Sequence, residues 1–363
     1  MSTESLVEPL LRVDAKRYAL FPIQYHSIWR YHKTQLTWTK WSIDTEEDRK
    51  IWRTVVPLAK KQALIFYLDL LIYGQKRMFE DLLHAIRRRV TAPEVRCALE
   101  YQAVRDNVHV EALYQLRKVF VNESDSDLVK HNETVLEVLL AEKFGWTFNR
   151  SHESTTFTDC LITMGVAKRV FSASLYSVVV WIADVNEFVL PGLVKTIRLI
   201  QDDVMDQVEF AALLLMHLQR QPSRDQVLST VYEARDIEIR FANNVISYDE
   251  IDPNAYWVTK DHMCRYIVYL SLTFVDCLGY GTRSPLTEYP FPWMDHVEGG
   301  ATAFYLKEAM EDAYVDHEDV EKKNSSSNTE GQATGNSQSR DCSSHDTLDR
   351  TDEYIDGGHA MEL

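Results

Sequence analysis

Hydrophobic side chains recur every three to four positions along most of the chain, the spacing of helices that bury one face. The clearest example follows Pro93, where Val95, Leu99, Ala103 and Val110 share a face. No alternating pattern of useful strand length is present. The pattern therefore predicts an all-α protein, with helices over about 45–73, 93–121, 128–146, 154–188, 191–219, 225–246 and 257–279.

The longest apolar run, near Leu175–Ala183, is followed by Asp184 and is too short to cross a bilayer. We interpret it as a core helix. The 363 residues include only 12 Gly and 10 Pro, too few for the frequent turns of a sandwich or barrel. Low turn content and the helical spacing together favour long helices around one large core.

Composition divides the chain into three parts. Beyond Asp316 it holds seven Ser, four Gly and one aromatic residue, Tyr354, which is too little apolar surface to offset the entropy of ordering. We expect a loose N-terminal arm over 1–16, a helical domain over 17–315 and a disordered acidic tail over 316–363.

The formal net charge is −16, so the chain should repel phosphate backbones and anionic lipid. Neither nucleic acid nor a membrane is an expected partner. The five cysteines are scattered and contain no CxxC motif. Together with the lack of an apolar N-terminal stretch, they predict a reducing, cytoplasmic location.

Candidate chemistry lies on the helix after Pro93. Asp106 and His109 are three residues apart and therefore project from one face. Helical bundles use such an acid-x-x-His pair to hold half of a two-metal carboxylate site, although a surface ion pair has the same spacing. The sequence has no P-loop, GxGxxG, GxSxG or HExxH motif.

Several segments in order resemble the small subunit of class I ribonucleotide reductase. The helix around Asp106 matches best, and the resemblance extends over about 17–310 through RYALFPIQYHSIW, APEVRCALEYQAVRDNVHVEALYQL, FSASLY, LPGL, IRLIQDD and YPFPWMDHVEGGATAFY. It implies a ferritin-like bundle with additional helices, acting as a dimer with a large subunit in deoxyribonucleotide synthesis. It also implies a di-iron or di-manganese centre, a radical-bearing tyrosine at Tyr114, and a transfer path through Trp38, Asp203 and His109.

The resemblance implies six metal-ligand positions, and most of them carry side chains unsuited to a metal. Only Asp106 and His109 are retained, while the others are Gln75, Ala167, Val204 and Gln207. Nearby acids could replace them only if the helix register differed, because each residue turns about 100° around a helix; these are Asp202, Asp206 and Glu209. We therefore expect a degenerate site with no resident cofactor.

Three functions follow from this reading. The first is a structural or assembly partner of a competent small subunit or of the large subunit, in a homodimer or heterodimer. The second is a metal-independent subunit that carries a radical on Tyr114. The third is a helical interaction protein without a reductase role. The tail could dock on a large subunit or remain solvated.

Overall fold

The computed structural model describes residues 8–12, 20–36, 41, 44–121, 133–152, 155–185, 189–248, 258–281 and 291–294. All of them fall within one compact unit, Met1–Glu318. Every regular element in these ranges is helical, so the predicted all-α class is confirmed. The expected tail, 316–363, lies outside the described residues.

The longer helices, in chain order, are α1 (His26–Gln35), α2 (Glu46–Thr54), α3 (Leu58–Arg89), α4 (Pro93–Phe120), α5 (Glu133–Ser151), α6 (Phe157–Val170), α7 (Ala173–Val180), α8 (Pro191–Met216), α9 (Arg224–Val245) and α10 (Lys260–Cys277). A π-helical turn, Trp181–Val185, extends α7. Short 3-10 turns occupy Pro9–Leu11 and Pro292–Met294.

Local chemistry explains where several helices begin. Proline occupies the first position of α4 and α8, where its missing N–H leaves no hydrogen bond unmade. The hydroxyls of Thr156 and Ser223 accept the backbone N–H groups of Asp159 and Gln226 at the starts of α6 and α9. Such caps satisfy donors that the first turn leaves unpaired.

The core is a bundle in which α3 packs against α4, α5 and α6, and α6 packs against α8 and α9. Helices α3, α4, α6 and α8 carry the six expected ligand positions. The C-terminal part of the described chain also packs on this core, where Trp293 lies against Trp181 with ring centroids 4.7 Å apart.

Two predicted helices are each divided in the structure. The helix expected over 45–73 is α2 and α3, separated at Pro57 because proline lacks an N–H and clashes with the preceding turn. The helix expected over 154–188 is α6 and α7, separated at Phe171 and Ser172. By length and composition 157–184 could cross a membrane, but 94% of its most apolar window is buried inside the fold, as a core helix requires.

Part of the expected N-terminal arm packs on the domain. Leu10 is fully buried, and its carbonyl accepts the backbone N–H of Thr91 at 2.9 Å. The Glu8 carboxylate accepts the backbone N–H of Gln219 at 2.7 Å. Residues 8–12 are therefore anchored at both the α3–α4 connection and the end of α8.

Candidate functional site

The retained acid and imidazole face the centre of the bundle from α4. His109 is buried, and the Asp106 side chain is one-fifth exposed. Gln75 of α3, Ala167 of α6 and Gln207 of α8 are also buried. The helical register predicted from sequence therefore brings residues from these four helices into one region.

The ammonium of Lys168 occupies the side of Asp106 that faces α6. Its Nζ lies 3.0 Å from each carboxylate oxygen, and the lysine side chain is 1% exposed. The Phe79 ring centroid lies 4.2 Å from the same Nζ, a favourable cation–π distance. Burial lowers the pKa of Lys168, and the Asp106 carboxylate opposes that shift.

Amides complete the surroundings of Asp106. Gln207 Nε2 donates to Asp106 Oδ1 at 3.0 Å, while Gln207 Oε1 is buried without a hydrogen-bond partner. On the α3 side, Gln75 Nε2 donates to the hydroxyl of Tyr176. Burial, and then the nearby Asp106, raises the pKa of Tyr176 well above its usual value. A neutral amide, bonded to a buried neutral tyrosine, thus stands where the resemblance implies a carboxylate.

His109 is held as a neutral imidazole. Burial, reinforced by Lys168 and Arg105 and opposed by Asp106, lowers its pKa to about 3. Its Nε2 lies 3.0 Å from Asp203 Oδ2. Because the carboxylate only accepts, we assign the ring proton to Nε2. His109 Nδ1 is then an acceptor, 3.9 Å from Asp106 Oδ1.

Arg105 is a member of the site that the sequence analysis missed. Its Nε donates to Asp203 Oδ2 at 2.6 Å, a second guanidinium nitrogen contacts Oδ1, and Nη1 donates to Gln35 Oε1 at 3.3 Å. Both partners of this ion pair are buried. A signal was present, since Arg105 lies four residues before His109 and so falls on the same face of α4.

Two of the three residues expected on a transfer path lie within the described chain. Asp203 and His109 are in contact, as predicted, but Trp38 lies outside the described residues. The indole of Trp41 instead stacks on the His109 ring, with centroids 5.6 Å apart and planes inclined by 10°. Asp203 is shared between His109 and the Arg105 guanidinium, a bidentate ion pair that the resemblance did not imply.

Tyr114 lies away from the site. Its side chain is 49% exposed, and the ammonium of Lys118 lies 5.9 Å from its ring centroid. Five residues turn a helix by about 500°, which leaves Tyr114 about 140° from His109. Leu113, four residues on, is the fully buried position. Tyr114, the radical position that the resemblance implies, therefore lies on a partly exposed face of α4 rather than beside His109.

Of the acids considered as replacement ligands, Asp206 makes a contact outside the expected ligand set. Asp206 Oδ2 accepts from Gln35 Nε2 at 3.2 Å. Burial, and then Asp206, raises the pKa of Glu209 to about 8. No cluster of three or more His, Cys, Asp or Glu side chains suited to a metal occurs among the described residues.

A small cavity of about 90 Å³ lies beside the site. It is lined by Gln75, Phe79, Asp106, His109 and Val204 and reaches the exposed residues Glu80 and Asn107. One carboxylate, one imidazole and an adjacent ammonium do not fit the two-metal centre, which needs four carboxylates and two imidazoles.

Comparisons with known proteins point to one family. The family "Ribonucleotide reductase, small chain" matches residues 17–283. The ribonucleoside-diphosphate reductase small chain of Schizosaccharomyces pombe is 26% identical over 85% of this chain and 78% of its own. That of Nicotiana tabacum is 25% identical over 84% and 91%.

Solved structures share the fold at lower identity. The Saccharomyces cerevisiae ribonucleotide reductase Rnr4 homodimer superposes with a TM-score of 0.65 at 19% identity, covering 79% of this chain and 91% of that one. The Streptococcus sanguinis dimanganese(II)-NrdF gives 0.57 at 15% identity, covering 79% and 100%. The ferritin-like bundle is thereby confirmed, and the chain belongs to the ribonucleotide reductase small-chain family.

Proposed function

We propose that this chain serves deoxyribonucleotide synthesis as a small-chain partner without its own dimetal centre. It would pair with a metal-competent small chain, or bind the large subunit, and contribute structure and assembly rather than a radical. The observation that carries this proposal is the Lys168 ammonium bound to Asp106, the one carboxylate left among the six expected ligand positions.

Two further features support a structural role. The Arg105 ion pair leaves Asp203 fixed between two cationic or polar donors, an arrangement that stabilises packing without any redox step. The half-exposed Tyr114 does not favour the alternative in which that residue carries a radical. No contact among the described residues favours an interaction protein unconnected with the reductase.

The free cysteines at 97, 160, 264 and 277 are compatible with the cytoplasmic location that we also propose.

The proposal is tested by reconstitution. The chain is mixed with a metal-competent small chain and a large subunit from the same source, and the species are identified by native mass spectrometry. Nucleotide reduction and metal content per chain are measured for each combination after anaerobic loading with Fe(II) or Mn(II).

We expect a mixed dimer of one copy of each small chain and no reduction when this chain is the only small chain present. A matched control replaces the competent chain by a variant lacking one of its ligand carboxylates, which should abolish activity of the mixed dimer. About two metal ions per chain, or reduction supported by this chain alone, would overturn the proposal. Failure to bind either subunit would instead favour a helical interaction protein without a reductase role.

A further inference from the structure

We propose that Lys168 excludes divalent metal from a latent single-ion site formed by Asp106, His109 and Gln207. The lysine would then be the specificity-determining residue of this region, since it decides which cation the remaining donors hold. This inference concerns the isolated chain and does not depend on which subunit the chain binds.

The three donors already lie close together. His109 Nδ1, the nitrogen left free to accept, is 3.9 Å from Asp106 Oδ1. Gln207 touches the same oxygen through its Nε2 and holds a buried Oε1 that has no partner. Rotation of that amide by 180° exchanges its oxygen and nitrogen. Imidazole, carboxylate and amide oxygen form a mixed donor set that suits borderline transition-metal ions.

The lysine blocks this set in two ways. Its ammonium contacts both Asp106 oxygens at 3.0 Å, so a metal must displace it before reaching the carboxylate. Charge acts in the same direction, because Lys168 offsets Asp106 and Arg105 offsets Asp203, so neither carboxylate presents an unpaired negative charge to a dication. Without the ammonium, the charge of Asp106 is no longer offset.

Room for an ion is also present. The cavity of about 90 Å³ already touches Asp106 and His109 and reaches exposed residues, which provides an entry route and space for water ligands. Truncation of Lys168 would enlarge this space on the side facing α6. The geometry therefore indicates a cation site at the centre of the bundle that the Lys168 ammonium already occupies.

Titration with Co(II), followed by its visible d–d absorption and by calorimetry, tests the inference. Wild-type chain should bind Co(II) weakly, and Lys168→Ala should bind one ion per chain more than about 100-fold more tightly. The double variants K168A/D106N and K168A/H109A should lose that gain. Lys143→Met is the matched control, because it removes another fully buried ammonium, paired with Glu238 at 2.5 Å, without exposing these donors.

Two results would overturn the inference. One is Co(II) binding by the wild-type chain as tight as that of Lys168→Ala. The other is a folded Lys168→Ala chain, shown by circular dichroism, that gains no Co(II) affinity. If Lys168→Ala does not fold, Lys168→Gln removes the charge while keeping a donor for Asp106, and the same two criteria apply to it. Neither result bears on subunit binding, so the proposed function is judged separately.

Discussion

The ammonium of Lys168 and the carboxylate of Asp106 illustrate how much a buried ion pair depends on both partners. Lysine is almost never buried unless it is paired. Among the described residues, Asp106 is the acid that pairs with this buried ammonium, which also lies over the Phe79 ring. Removing one partner of such a pair leaves an uncompensated charge, which costs far more than the pair itself contributes.

We therefore expect Asp106→Asn to lower the free energy of unfolding by about 3 kcal/mol, because it strands the buried ammonium. Lys168→Met should cost less, since Asp106 is partly exposed to water. The double variant should be more stable than the sum of the single losses predicts. Urea denaturation followed by circular dichroism measures all three. Arg240→Met is the control: it removes the exposed Arg240–Glu142 pair and should lower the free energy of unfolding by less than about 1 kcal/mol. If the losses of Asp106→Asn and Lys168→Met simply add in the double variant, the two side chains are not coupled.

Glu209 predicts a pH dependence of opposite sign to that of ordinary surface acids. Burial raises its pKa in the folded chain to about 8, above the usual 4.5. Between these values the unfolded chain is ionised at this residue and the folded chain is not, so folding stability falls as pH rises from about 4.5 to 8 and then levels off. Glu209→Gln should remove this loss and stabilise the chain at pH 9 by on the order of 5 kcal/mol relative to wild type. Denaturation at pH 5 and pH 9 measures it, and an equal difference between the two chains at both values would refute the assignment.

At the scale of elements, the start of α8 is fixed by α2. Both oxygens of Asp48 accept backbone N–H groups at 2.8 Å, one from Gly192 and one from Leu193, and a carboxylate is well suited to a helix N-terminus. A Cβ at Gly192 would lie 2.5 Å from the Asp44 carbonyl oxygen. The close approach of the two segments therefore requires glycine.

Gly192→Ala should accordingly destabilise the chain by roughly 1–3 kcal/mol through overpacking. Because α8 carries Asp203 and Gln207, the substitution should also disturb the site. Its tryptophan fluorescence spectrum is a second readout, since Trp41 stacks on His109. Gly145→Ala is the control, because a Cβ there meets nothing within 4 Å and alanine favours a helix. An equal effect of both substitutions would remove the steric explanation.

Helical periodicity predicted the elements well and their interruptions poorly. The spacing after Pro93 gave α4 almost to its last residue, and Pro57 provided a visible signal for the α2–α3 break. Phe171 and Ser172 carry no helix-breaking side chain, so the α6–α7 break arises from tertiary packing that a local pattern does not contain.

The candidate site was likewise predicted in part from the sequence. Helical register put Asp106 and His109 near Gln75, Val204 and Gln207, but whether Lys168 reaches across to Asp106 depends on side-chain direction and interhelical distance.

At the scale of the whole molecule, buried ion pairs link the helices of the bundle, and two of these pairs join helices that carry expected ligand positions. Lys168 joins α6 to α4, Arg105 joins α4 to α8, and Lys143 joins α5 to α9. The Lys143 ammonium also donates to the Phe171 carbonyl at 2.5 Å, and Glu238 accepts from the Ser174 backbone at 3.1 Å, so this pair fixes the break between α6 and α7.

Because lysine and arginine side chains already pair with the buried carboxylates, added divalent metal should not change the thermal stability of the bundle. A ligand that binds only the folded state stabilises it by about 2.7 kcal/mol at one hundred times its dissociation constant, so a chain with a metal centre melts at a higher temperature when the metal is supplied. We expect the thermal midpoint of this chain to shift by less than about 1 °C between excess EDTA and excess Mn(II) or Co(II), because Lys168 already neutralises Asp106. Differential scanning calorimetry measures the midpoint. Lys168→Ala provides the contrast, because it should acquire a clear upward shift with Co(II), whereas a shift in the wild-type chain would mean that the ammonium does not hold the site against metal.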